Sequence, residues 1–153
     1  MNFCNKNTIK NININYPDIY FTPEYGIACE YSDDAIWELC QYKDLIYVYL
    51  KKPIECEGKT YYDLITPYGY SGYYYEKKET YDEFIPIFRK EAKEKNYITE
   101  VLRQNPYLNI NISGYNIITS KTIYGIEIDN FDNYFKNILN GSKRNKFRKA
   151  SKN

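Results

Sequence analysis

With 153 residues, the chain is long enough for one domain with its own hydrophobic core, and its net charge at pH 7 is only +1. The absence of histidine excludes Ser-His and Cys-His nucleophile systems and leaves acid–base chemistry to Asp, Glu, Tyr, Lys or Cys. The four cysteines lack zinc-site spacing, no secretory segment precedes them, and no stretch is apolar enough to span a bilayer. We therefore expect a cytoplasmic protein without a metal cofactor or a transmembrane segment.

The first half of the chain predicts mainly strands. Residues 1–17 are rich in Asn and weakly patterned, and they are predicted to be a flexible segment or a short edge strand. Aromatic and branched residues then alternate between turn signals. The pattern predicts, in order, a short helix after Thr22, strands over 35–41 and 45–52 joined by a hairpin at 42–44, a loop over 53–59, and a strand over 61–65.

The second half predicts one strong helix followed by mixed elements. Thr80 and Glu83 match a capping box, although Pro86 suggests that the helix ending near Glu94 begins a turn later. Beyond it we expect a strand over 97–103 and a hairpin over 115–119 and 122–128. A helix that stops at Gly141 and a basic helix capped by Ser142 follow. The first of these two helices contains Phe131, Tyr134, Phe135 and Ile138. The order of elements predicts an α/β fold with a mixed central sheet flanked by helices.

The segment from Tyr61 to Gly72, YYDLITPYGYSG, is the most informative part of the sequence. A strand carrying one acid runs into Thr66-Pro67-Tyr68-Gly69, which suits a type I turn. Glycines there allow a ligand or another backbone to come close, and the tyrosines provide amphipathic walls. The segment is interpreted either as the lip of a pocket or as a hairpin whose tyrosines cover a small core.

Five residues of this segment are candidates for binding. Asp63 is predicted to anchor a substrate amine or to act as its base, and the alternative is an exposed strand aspartate or a turn cap. Tyr68 and Tyr70 are predicted to stack on or hydrogen-bond a sugar or peptide, and the alternative is packing. Gly69 and Gly72 are predicted to allow close approach, which is compatible with simple turn geometry.

Basic residues supply the remaining candidates. Arg103 is predicted to bind a carboxylate or phosphate, and the alternative is an ion pair with Glu100 or another surface acid. Residues 141–153 hold six bases and no acid, which leaves 15 bases against 20 acids elsewhere. Arg144 and Arg148 share a helical face there and are predicted to meet precursor phosphates, a tRNA backbone or an anionic lipid surface; the alternative is a solvated helix. The acidic remainder argues against DNA binding.

Four blocks of sequence occur in the order of a known family: DIYFTPEYG at 18–26, DLITPYGYSG at 63–72, YITEVLRQNPYLN at 97–109 and SKRNKFRKASKN at 142–153. The chain resembles the first half of the FemABX-like branch of the GNAT acyltransferase superfamily. Ser71 departs from the glycine usual in the TPYGYGG block, where a positive φ would strain a residue with a Cβ. Gln104-Asn105 stand where an aromatic followed by His is frequent, although Pro106 is kept.

The resemblance implies a GNAT-like N-terminal half over 18–140, preceded by the flexible segment 1–17 and followed by the basic helix 141–153, which leads into a second GNAT-like half. It implies transfer of an acyl or aminoacyl group, from acyl-CoA or aminoacyl-tRNA, to an amine of a cell-wall or nucleotide-sugar precursor. On this basis the chain is expected to supply the acceptor side and to be inactive alone. The alternatives are a non-catalytic binding module and a truncated product.

Overall fold

The computed structural model describes residues 1–9, 14–108, 110–118, 122 and 131–151. The chain divides into two compact units, residues 1–117 and 118–153, so the boundary predicted at residue 140 lies inside the second unit. The described part of the first unit contains, in chain order, β1 (Asn2–Cys4), a 3-10 helix (Ile19–Phe21), α1 (Pro23–Asp33), β2 (Ile36–Tyr42), β3 (Leu45–Cys56), β4 (Lys59–Ile65), β5 (Gly72–Tyr74), α2 (Lys78–Glu94) and β6 (Tyr97–Val101).

The strands form one mixed sheet with the order β1-β2-β3-β4-β6. All neighbours are antiparallel except β4 and β6, which are parallel. The long strand β3 pairs with β4 through residues Leu50 to Cys56 and with β5 through Ile46 to Val48. Because β4 and β5 lie along the same strand, the chain leaves the sheet after Ile65 and returns at Gly72, and this excursion is the corner loop (residues 66–71).

Each face of the sheet carries its own hydrophobic core. On the α1 face, α1 and the 3-10 helix cover a cluster that includes Phe21, Cys29, Trp37, Leu39, Val48 and Leu50. On the α2 face, α2 covers a cluster that includes Tyr47, Tyr49, Leu64, Tyr73, Phe84 and Phe88. The predicted α/β class, a mixed sheet flanked by helices, is therefore confirmed, and the architecture is compatible with a GNAT-like fold.

A close approach between α1 and β2 depends on a residue without a side chain. The helix predicted after Thr22 is present as α1, and Thr22 caps it, with its hydroxyl accepting the N–H of Tyr25 at 3.4 Å. One turn into the helix, a Cβ on Gly26 would lie 2.0 Å from the indole of Trp37. Gly26 therefore lets the helix backbone pack directly on the buried tryptophan ring, which no other residue at this position would allow without a shift.

Strands are present at the start of the chain, where a flexible segment or an edge strand was predicted, and within 53–59, where a loop was predicted. Residues Asn2–Cys4 pair with β2 as an edge strand, the second of the two interpretations of this segment. The loop prediction is wrong, because β3 continues to Cys56 and turns back through Glu57 and Gly58, which both adopt a positive φ. Pro53 is tolerated since β2 begins opposite Lys51, so among the described residues no strand pairs with β3 on that side at Pro53.

The helix α2 begins two residues before the predicted capping box and continues through Pro86, so both details of that prediction are wrong. The start is stabilised from outside the helix. Asp44, in the β2–β3 turn, accepts hydrogen bonds from the backbone N–H groups of Glu76 (3.1 Å) and Lys77 (2.9 Å) and from the Thr80 hydroxyl. Thr80 is thus occupied as a donor to Asp44 and does not cap its own helix.

In the second unit, the described residues form α3 (Phe131–Asn133), a π-helix (Tyr134–Ile138) and α4 (Gly141–Ala150). The predicted helices are therefore present, but α4 starts at Gly141 and is capped by Asn140, whose side chain accepts the N–H of Lys143, so Ser142 is not the cap. Of the predicted hairpin, residues 115–118 are not in a strand, and most of 119–128 lies outside the described residues.

Candidate binding site

The corner loop is bonded to the segment that follows β6. The hydroxyl of Thr66 accepts the backbone N–H of Arg103 at 3.2 Å, and the N–H of Ser71 donates to the Arg103 carbonyl at 3.2 Å. Ser71 also forms a parallel bridge with Gln104 and does not adopt a positive φ, so the strain considered for this departure from the family pattern is absent. These bonds fix both ends of the loop against one stretch of chain.

A second set of bonds brings in the block around the 3-10 helix. The side-chain amide of Asn105 donates to one carboxylate oxygen of Asp18, and the other oxygen accepts the N–H of Tyr20 at 2.7 Å. Asn105 is almost completely buried. The blocks at 18–26, 63–72 and 97–109, which suggested the family resemblance, therefore meet in one place, as the side chains of a shared site would require.

The tip of the corner loop packs against α1 and the 3-10 helix. The hydroxyl of Tyr25 donates to the Tyr68 carbonyl at 2.7 Å. Burial raises the pKa of the Cys29 thiol, while the backbone N–H of Tyr68 opposes that shift. The ring of Tyr20 meets the ring of Tyr70 edge to face, with 6.0 Å between centroids. Tyr70 is thus a packing residue, the alternative given for it from sequence.

Gly69 and Gly72 serve the protein's own structure. Gly69 has a φ of +92°, and a Cβ there would lie 2.4 Å from the ring of Tyr20. Gly72, which opens β5, has a φ of +101°, and a Cβ there would lie at ordinary contact distance from Leu102 and Gln104, so its backbone conformation and not its packing favours glycine. The close approach predicted at Gly69 is therefore made by a tyrosine of the same chain, and the space for a guest molecule lies elsewhere on the loop.

That space is a cavity of about 120 Å³ on the α1 face of β4 and β6, beside the corner loop. We call it the corner cavity, and its lining residues are Asp33, Ile65, Thr66, Tyr68, Val101 and Arg103. Tyr68 is 74% exposed, so it lies at the rim of the cavity. Of the residues predicted from sequence, Tyr68 and Arg103 line this cavity; Asp63, Gly69, Tyr70 and Gly72 do not.

Asp63 lies next to the corner cavity. It pairs across β4 and β6 with Thr99, one step before the pair of Ile65 and Val101 on the same face. Its carboxylate accepts the Thr99 hydroxyl at 2.5 Å and is half-buried. Asp63 is thus neither a turn cap nor a fully exposed strand residue, and it adds negative charge just beyond the floor of the cavity.

Arg103 has its charged group available. The ion pair with Glu100 considered from sequence is not formed, and no carboxylate in the described residues lies within 4.0 Å of the guanidinium. Glu100 instead accepts hydrogen bonds from the hydroxyls of Tyr73 and Tyr115, both at 2.7 Å. Since successive residues of a strand point to opposite faces, this carboxylate is turned toward α2, away from the corner cavity.

Sequence reasoning missed Asp33. It occupies the last turn of α1, where an acid is unfavourable for the helix dipole, and nothing in the local pattern connects it to the corner loop. The one available signal was the position of an acid at the C-terminal end of a helix. Because an acid is unfavourable for the helix dipole there, its presence suggests another role. Its place in the cavity depends on how α1 packs across the sheet.

On the α2 face, a larger cavity of about 280 Å³ lies between α2 and β6. It holds none of the predicted site residues and is lined by Leu64, Phe88, Arg89, Ala92, Lys93, Tyr97, Ile98, Thr99 and Glu100. Beneath it, burial raises the pKa of Tyr73 and Tyr49 far above that of free tyrosine, so both phenols remain hydrogen-bond donors. The two phenols donate to Glu38 and Glu100, so the hydrophobic core on this face contains a network of buried hydrogen bonds.

In the second unit, the two predicted arginines have structural partners. Arg144 donates from one guanidinium nitrogen to the carbonyls of Lys136 (2.7 Å) and Leu139 (2.6 Å), which end the π-helix. The guanidinium of Arg148 lies over the ring of Phe135, 5.7 Å from its centroid. Both arginines thus stabilise the unit, and a role in binding phosphate would use their remaining donors.

No family model matches the chain, and neither a curated protein nor a solved structure matches it. In the described residues, no group of three or more His, Cys, Asp and Glu is placed to hold a metal ion. Among the helices of that same part of the chain, none combines the length and the hydropathy that crossing a bilayer requires.

Proposed function

We propose that this chain forms the acceptor-side wall of an acyl- or aminoacyltransferase of the FemABX-like type. It would act in the cytoplasm on an amine of a cell-wall or nucleotide-sugar precursor. The observation that carries the proposal is the corner cavity. It lies where three of the four resemblance blocks meet, and it has exposed charge, two hydroxyl groups and an apolar floor.

The contribution of the chain would be binding and orientation. Amine attack on a thioester or ester carbonyl needs the acceptor held close to the donor, and a bound ammonium must first pass its proton to a base. Positioning of this kind accounts for a large part of catalysis in acyl transfer. The acyl-CoA or aminoacyl-tRNA donor would meet a second GNAT-like half, which the resemblance implies. We accordingly expect this chain, assayed by itself, to show no turnover with acetyl-CoA or charged tRNA.

The test is a calorimetric titration with a muramoyl pentapeptide whose diamino-acid side chain ends in a free amine and a carboxylate on the same carbon atom. We expect the wild-type chain to bind it and Arg103→Gln to bind it about tenfold more weakly, since a hydrogen bond to a charged group contributes about 1.5–3 kcal/mol. Lys90→Gln, on the opposite face, removes the same charge and should bind like the wild type. Equal affinity of Arg103→Gln and wild type would count against the proposal.

A non-catalytic binding module is the second candidate. It is favoured by the make-up of the corner cavity, whose lining includes no cysteine, serine or lysine nucleophile. Addition of a second GNAT-like half from a FemABX-type enzyme separates the two candidates. Restored acyl transfer supports the transferase, and binding of the pentapeptide without any transfer supports the module.

A further inference from the structure

The corner cavity is lined by two opposite charges that are not paired with each other. Asp33 comes from the end of α1, and Arg103 follows β6. No ion pair within 4.0 Å involves either residue in the described part of the chain. The hydrogen bond that reaches the Asp33 carboxylate comes from the neighbouring Ser32 hydroxyl at 3.2 Å. Both charged groups can therefore serve a guest molecule.

The surface between these charges suits a small organic group. Ile65 and Val101 form an apolar floor, and Thr66 and Tyr68 add hydroxyl groups. The volume of about 120 Å³ is several times the roughly 30 Å³ that one water molecule occupies in the liquid. A group with an ammonium, one or two carbon atoms and a carboxylate fits a space of this size and matches its distribution of charge.

We propose that the corner cavity binds a zwitterionic amino-acid unit, with its ammonium toward Asp33 and its carboxylate toward Arg103. This inference rests on the proposed function and names the chemical group of the acceptor that the wall recognises. The planar guanidinium binds a carboxylate through two parallel hydrogen bonds, which fixes orientation as well as position. A guest with a single charge would leave the opposite protein charge without a partner, so the site discriminates against it.

The inference makes Asp33, and not Asp63, the residue that holds the amine. Asp63 lies outside the lining of the cavity, and one of its oxygens already accepts the Thr99 hydroxyl. Asp33 lines the cavity and belongs to a helix that is fixed against the sheet by the contact of Gly26 with Trp37. Asp33 thereby acts as a specificity-determining residue that the motifs of the sequence do not include.

The test is a titration of the isotope-labelled chain followed by amide chemical shifts, with three probes of similar size. Alanine carries both charges, ethylamine only the ammonium and propionate only the carboxylate. We expect alanine to bind at least about tenfold more tightly than either single-charge probe. Asp33→Asn and Arg103→Gln should each reduce the affinity for alanine to that of the single-charge probes.

The matched control is Asp34→Asn, which removes the same charge one residue away. Asp34 is outside the cavity lining and has a φ of +49°, a conformation that asparagine tolerates. This variant should bind alanine like the wild type. Absence of alanine binding to the wild-type chain, equal binding of ethylamine, or unchanged binding by Asp33→Asn with an unaltered melting temperature would each overturn the inference.

The same variants titrated with the muramoyl pentapeptide separate the inference from the proposed function. If the pentapeptide binds the wild type but Asp33→Asn binds it equally well, the zwitterion inference fails and the acceptor-side function stands. If the pentapeptide does not bind the wild type, the proposed function itself fails.

Discussion

The two faces of the sheet use the same residue types for different ends. On the α2 face, the buried Glu38 accepts hydrogen bonds from the hydroxyls of Tyr49 and Tyr97 and forms an ion pair with Lys51 at 3.0 Å. On the α1 face, Asp33 and Arg103 line one cavity without pairing. Acids and tyrosines are abundant on both faces, so their presence alone does not mark a site. What distinguishes the corner cavity is that, within the part of the chain that the structure describes, its two charged residues form no ion pair.

The largest effect we predict breaks the α2 network. Glu38→Ala leaves the half-buried Lys51 and two phenols without their acceptor, and removal of one partner of a buried ion pair costs about 3–5 kcal/mol of unfolding free energy. Glu83→Ala, in an exposed pair with Lys43, should cost far less, because water screens an exposed ion pair. Urea unfolding of both variants gives their unfolding free energies. Similar losses of unfolding free energy would show that burial of the ion pair does not determine how much its removal destabilises the chain.

The next effect tests whether the corner loop is filled by Tyr20. Gly69→Ala combines a φ of +92° with a Cβ 2.4 Å from that ring, and we expect a loss of about 3 kcal/mol. Gly58→Ala has a similar φ, +73°, but no atom within 4 Å, so only the backbone cost of about 1 kcal/mol applies. Thermal unfolding of the pair separates packing from backbone strain. Equal losses would mean that Tyr20 moves aside freely.

A smaller effect depends on pH. Burial alone would raise the pKa of Asp44, but hydrogen bonds from Thr80 and the backbone N–H groups of Glu76 and Lys77 lower it below the ordinary value. A carboxylate with a lowered folded-state pKa contributes stability above its unfolded pKa of about 3.9, and loses it as the pH falls through the folded-state pKa. Asp44→Ala should therefore cost about 1 kcal/mol at pH 7 and less near pH 3. An equal cost at both pH values in urea unfolding would contradict this.

The smallest effect on stability is expected in the corner cavity. Arg103 is exposed and forms no ion pair in the described residues, so Arg103→Gln should change the unfolding free energy by less than about 0.5 kcal/mol. Its effect on pentapeptide binding is expected to be much larger. Loss of both stability and binding in this variant would show that Arg103 has a structural role, like the buried charges on the α2 face.

Much of the fold was predictable because local signals agreed with the tertiary structure. The alternation in β2 and β3 and the aromatic face of α2 follow directly from burial on a sheet. The start of α2 was not predictable, since its cap is Asp44, which lies more than thirty residues away along the chain. Pro53 misled the prediction for the same reason, because its tolerance depends on where β2 begins.

The candidate site was predictable only in part. The proline and the glycines of residues 66–72 indicated a corner, and Tyr68 and Arg103 do line the cavity beside it. The sequence could not show that Tyr20 occupies the space at Gly69, because that contact joins segments almost fifty residues apart. Asp33 was equally inaccessible, since only the packing of α1 on the sheet brings it to the cavity.

Whether an acceptor binds in the corner cavity is tested most directly by mapping the residues that it contacts. Backbone amide shifts of the labelled chain would be followed during titration with the muramoyl pentapeptide. We expect saturable shifts concentrated at the end of β4, in the corner loop and around Arg103, with little change along α2. Saturable shifts centred on the cavity between α2 and β6, or none at all, would contradict it.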